Sequence, residues 1–92
     1  MSNQVAQSGT PVLLTATGTV SISPGNLLGF FVASTSSGTI VVRNGAAASS
    51  ATAISGTITP AAGQFYAFPA YCPSGCSVTI ANTISVTFFF AA

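Results

Sequence analysis

The chain has 92 residues, 49% of them hydrophobic, and one charged side chain, Arg43, for a formal net charge of +1. That length fits one small domain with one core. The balance excludes a disordered chain, which is poorer in apolar residues and richer in charge, and it leaves no basic footprint for nucleic acid or anionic lipid.

Residues 1–10 are polar, rich in Gln and Ser, and show no periodicity. We expect an N-terminal arm there, flexible or bound to a partner, ahead of a β domain over residues 11–92. The stretch lacks the basic start and apolar run of a secretory signal, so synthesis in the cytoplasm of the producing cell is expected. Residues 12–22 alternate. Val12, Leu14, Ala16, Gly18, Val20 and Ile22 share one face, and Thr15, Thr17, Thr19 and Ser21 the other. Gly18 at the midpoint predicts a bend, hence one kinked strand or two short ones. Ser23-Pro24-Gly25-Asn26 reads as a turn.

Residues 27–35 are the most hydrophobic strand. Leu28, Phe30 and Val32 point one way, and Leu27, Phe31 and Ala33 the other. Two apolar faces predict burial on both, the second against another subunit. Ser36-Ser37-Gly38 reads as a tight turn, which makes residues 39–44 an antiparallel hairpin partner. In that partner Ile40 and Val42 face inward, Val41 and Arg43 outward. Asn44-Gly45 is a turn signal, residues 46–50 are a loop of small side chains, and residues 52–59 resume a strand with Ile54, Gly56 and Ile58 on one face.

Pro60-Ala61-Ala62-Gly63 is a further turn. Residues 65–68 form a short aromatic strand that Pro69 ends or confines to a sheet edge, because proline cannot donate to the ladder. Cys72-Pro73-Ser74-Gly75-Cys76 is a constrained loop. Residues 78–80 and 84–90 read as a final antiparallel pair turning near Ala81 and Asn82. In the last segment Ile84, Val86, Phe88 and Phe90 alternate with Thr83, Ser85 and Thr87, and Phe89 puts a large ring on the polar face. The fold class expected is all-β: a single small antiparallel β-sandwich or barrel, jelly-roll-like, of about seven or eight strands.

Catalysis finds little to work with. There is no Asp, Glu, Lys or His, so a Ser nucleophile has no base, and only the two Cys, Tyr66, Tyr71 and the termini remain for general acid–base work. The chain is read as no enzyme. Calcium and magnesium need carboxylates, and a full structural zinc site needs more ligands than two cysteines, so no cofactor and no metal are expected. No run of about 18 apolar residues exists, which rules out a spanning helix. A small outer-membrane barrel is disfavoured by the short segments and uncharged loops.

Cys72 and Cys76 are the one reactive constellation. Three readings stand: a local disulfide across Pro-Ser-Gly, a pair of reduced buried thiols, or a metal or redox role. Arg43 is either bonded to water or carbonyls at the surface or an anchor onto an acidic neighbour. Tyr66 and Tyr71, with Phe65 and Phe68, are either packed or a sugar-stacking platform. A nearly neutral chain with surplus apolar faces is best explained by life among other protein subunits. Leu27, Phe31, Val41, Arg43 and Phe89 are the candidate contact residues.

Four segments resemble the small all-β virion proteins of tailed bacteriophages, the capsid decoration, cement and head-fibre-base proteins. They are Leu27-Leu28-Gly29-Phe30-Phe31-Val32, Gly38-Thr39-Ile40-Val41-Val42-Arg43-Asn44-Gly45, Pro60-Ala61-Ala62-Gly63-Gln64-Phe65-Tyr66, and Val78-Thr79-Ile80 with Ile84-Ser85-Val86-Thr87. The resemblance is one of pattern and covers about two-thirds of the chain. It implies a virion component made in the bacterial cytoplasm, commonly a homotrimer, that binds the major capsid protein or other virion proteins on the outside of the shell. The alternatives kept open are a tail, neck or fibre component, a carbohydrate-binding or adhesive β-sandwich module, and a self-assembling fibre or shell protein outside phages.

Overall fold

The computed structural model describes residues 9–91. The arm expected over residues 1–10 therefore lies, except for Gly9 and Thr10, outside the described residues. Among these there are six strands and no helix: β1 (Thr10–Leu14), β2 (Gly18–Ser21), β3 (Gly25–Asn44), β4 (Thr52–Ala53), β5 (Gln64–Cys72) and β6 (Cys76–Ala91).

They form one open antiparallel sheet. Its spine is the long ladder between β3 and β6, running from the Asn26–Ala91 pair to the Asn44–Cys76 pair. β5 and β4 pair along the other side of β3, and β1 and β2 along the other side of β6. Each of these four short strands is thus an edge.

The strand count departs from the expected seven or eight because two turn signals are bends, not reversals. Residues 27–35 and 39–44 do not form a hairpin; both belong to β3. Residues 78–80 and 84–90 are likewise one strand, β6. The two expected turns face each other across the ladder. Ser37 and Asn82 both take the left-handed conformation, with φ of 59° and 63°, and Asn82 Nδ2 donates to the Ser37 carbonyl at 2.8 Å. Asn tolerates that conformation well. Gly38 lies inside the bend, where a Cβ would come within 2.5 Å of Ile84 Cβ. Twenty extended residues would reach roughly 60 Å if straight, whereas the longest dimension of the molecule is 43 Å. The ladder therefore bends strongly.

Of the two forms expected for residues 12–22, two short strands are found, but the break lies at residues 15–17 and Gly18 begins β2 instead of marking the bend. β5 runs through Pro69 to Cys72 and pairs only with β3, so the proline confines the strand to an edge without ending it.

One buried cluster gathers Leu27, Phe30, Val32, Ile40, Val42, Val78, Ile84, Val86, Phe88 and Phe90 with Val20 and the two cysteines. Phe30 is its centre, stacked on Tyr66 at 5.4 Å and tilted against Phe88 at 5.5 Å.

Candidate functional site

The two ends of the sheet differ in what covers their outer faces. At the β2 end, Thr19, Ser77 and Arg43 lie side by side across β2, β6 and β3. Thr19 Oγ1 donates to the Ala46 carbonyl at 2.6 Å, and Arg43 Nη1 donates to the Ala51 carbonyl at 2.9 Å. The loop over residues 45–51 is thereby pinned over this end, and Ser77 between the two anchors is fully buried.

The β5–β3–β6–β1 end has no such roof among the described residues. Register sets two outward rows across four strands. One row is Phe65, Phe31, Thr87 and Leu13; the next is Ala67, Gly29, Phe89 and Pro11. Phe31 is 39% exposed, Phe65 54% and Leu13 63%. Leu28, Phe31, Phe65, Ala67, Pro69 and Phe89 line an open groove of about 650 Å³. Gly29 lies between two of these residues, paired with Ala67 on one side and Phe89 on the other. A Cβ there would meet the Phe65 ring at 2.7 Å, so that ring leans across the glycine. No charged side chain lies on this face, since Arg43 belongs to the roofed end of β3. Contiguous exposed apolar surface of this kind marks a contact region more often than chance. The groove offers almost nothing polar to orient a small ligand, which such sites normally supply.

The sequence-based contact residues fall in three places. Phe31 and Phe89 are on the groove. Val41 and Arg43 are half-buried near the roof, and Arg43 is committed within the chain, its Nε donating to Thr79 Oγ1 at 2.8 Å and its Nη1 to the loop. Leu27 is corrected: it is fully buried in the core. The ladder shifts register between Leu27 and Gly29, so Leu28 bulges outward and the alternation slips by one residue. Leu28 is therefore the residue that reaches the groove, with Phe65, Ala67 and Pro69, and Leu13 stands on the same face beside it; sequence reasoning did not single these out as contacts. Strict alternation from Val12 and Leu14 would have placed Leu13 and Pro11 outward.

The aromatic platform expected for a sugar is not assembled from its parts. Tyr66 and Phe68 are half-buried against the core, and Tyr66 Oη accepts from the Ala61 amide at 2.7 Å. Phe65 and Tyr71 are exposed but lie near opposite ends of β5, and Phe65 belongs to the groove.

Cys72 and Cys76 are both fully buried free thiols. The intervening turn is closed by the Gly75 amide donating to the Cys72 carbonyl at 3.3 Å. Burial first, then the charge and hydrogen bond of Cys72, push the Cys76 thiol up to about 12. A protonated thiol is a poor nucleophile and a poor metal ligand. Among the described residues no three His, Cys, Asp or Glu side chains gather as a metal site.

Comparison of the chain with protein families, with curated proteins and with solved structures found no match.

Proposed function

We propose that this protein is a structural subunit of a tailed-bacteriophage virion, a capsid decoration or cement protein that acts by packing its bare apolar face against neighbouring protein. The observation that carries the packing role is the unroofed outer face in a chain with a single, internally committed charge. The virion assignment rests on the resemblance of the four segments quoted above. In this reading the two ends of the bent sheet close over one core as a jelly-roll-like sandwich. The single buried cluster, drawn from both ends of β3 and β6, supports that closure.

The mechanism is thermodynamic. Apolar surface removed from water across subunit boundaries contributes roughly 25 cal/mol per Å², less the cost of ordering the parts, and raises the work of shell rupture. A tail, neck or fibre subunit would use the same face in the same way. The protein would be made in the host cytoplasm and reside in the virion as a homo-oligomer.

The test is co-sedimentation of the purified chain with intact phage particles. Pelleting that saturates supports the role. A chain that stays in the supernatant at every particle concentration sinks it.

A further inference from the structure

We infer that the unroofed face pairs with the same face of a second copy about a two-fold axis lying along the strands between β3 and β6. The inference deepens the proposed packing role and names the partner.

The face carries both halves of a contact. Its β1 side is a ridge, where Pro11 and Leu13 stand exposed. Its β5 side is the groove of Leu28, Phe31, Phe65, Ala67, Pro69 and Phe89. A dyad along the strands exchanges the two sides and preserves height along them. The Leu13 of each copy then comes over the partner copy's β5 side at the level of the Phe31–Phe65 pair, and Pro11 at the level of Ala67. Strands of the two sheets stay roughly aligned, the commonest geometry for sheets packed face to face. Such an isologous contact closes after two copies. Nothing on the face repels its own image, because it bears no charge. Nor does it select a charged partner, which favours a second copy over an acidic or basic one.

Size sets the strength. Four strands about 4.8 Å apart and five residues of about 3.4 Å each give a footprint of roughly 330 Å². A standard interface takes about 800 Å² from each partner. The pair is therefore reversible and concentration-dependent in solution.

The test is sedimentation-velocity ultracentrifugation of the full chain over a wide concentration range. A monomer–dimer equilibrium is expected. Leu13→Ser, at an exposed position, should raise the dissociation constant about 10- to 100-fold with an unchanged thermal transition. Ala67→Trp, which fills the groove, should do the same. An equimolar mixture of the two variants should dimerise more tightly than either alone, since it restores one ridge–groove contact. A stable trimer overturns the inference, as does a mixture no tighter than its components. A monomer at every concentration also overturns it. In that case binding of an apolar dye tells an open groove from one covered by the chain's own first residues. Co-sedimentation with particles is measured on the same samples. Pelleting without dimers would leave the virion role standing and remove this contact; dimers without pelleting would do the reverse.

Discussion

Phe65 and Phe89 stand on either side of Gly29, their ring centroids 6.0 Å apart and their planes inclined at 56°. The three residues come from β5, β6 and β3, so the groove depends on the middle strand having no side chain there. Gly29→Ala would place a methyl 2.5 Å from the Tyr66 carbonyl oxygen and 2.7 Å from Phe65 Cζ. The ring can swing away; the carbonyl, held in the sheet, cannot. We expect a loss of about 1–3 kcal/mol from this overpacking, read by urea denaturation. A variant as stable as the parent would mean that β3 and β5 separate easily.

Adjacent phenylalanines on β3 should behave oppositely. Phe30 is buried between Tyr66 and Phe88, and Phe30→Ala should cost about 3–5 kcal/mol. Phe31 faces the groove and is 39% exposed. Phe31→Ser and Phe89→Ser should keep the fold, at a cost of about 1 kcal/mol, while weakening association in the ultracentrifuge. If both serine variants unfold, the outer face is core and not a contact surface.

The alternation of apolar residues made most of the sheet legible. Phe30, Val32, Ile40, Val42, Ile84, Val86, Phe88 and Phe90 all point inward as period two requires. What escaped was connectivity. Ser36-Ser37-Gly38 and Ala81–Asn82 carry ordinary turn chemistry, and the same left-handed residues that reverse a hairpin also bend a continuous ladder. Local composition does not distinguish the two; only the partner strand does. The groove was half legible. Phe89 announced itself by breaking a polar face and Phe31 by making the second face of its strand apolar, but Leu27 and Leu28 exchanged roles through a bulge that no residue type signals.

Arg43 should act within the chain. Its two bonds tie β3 to Thr79 and to the Ala51 carbonyl. Arg43→Ala should cost about 1–2 kcal/mol and speed amide exchange in residues 45–51. Dimerisation and pelleting with particles should be unchanged. Loss of pelleting with the loop still protected would make Arg43 an anchor to a partner instead.

Ser77 gives a prediction of the opposite sign. Its hydroxyl is buried beneath the pinned loop with no hydrogen-bond partner. An unmet buried hydroxyl is costly, so Ser77→Ala should stabilise the protein by about 1 kcal/mol, seen as a raised melting temperature. A lowered one would show that the hydroxyl is satisfied in solution by water held under the loop.

The buried thiols make stability depend on alkaline pH. Burial, reinforced by Cys72, pushes the Cys76 thiol from an ordinary value of 9.0 up to about 12. The folded chain thus keeps a proton that the unfolded chain releases at lower pH, and the unfolded state binds fewer protons between those values. Stability from this group is fully present below about pH 9 and is lost as pH rises towards 12. Denaturation followed across that window should show the decline, and Cys76→Ala should flatten it. Native protein at neutral pH should resist alkylation at both cysteines, and unfolded protein should take up label at both. Rapid labelling of the native chain at neutral pH would mean that the turn over residues 72–76 opens readily and that the thiols are not held in the core.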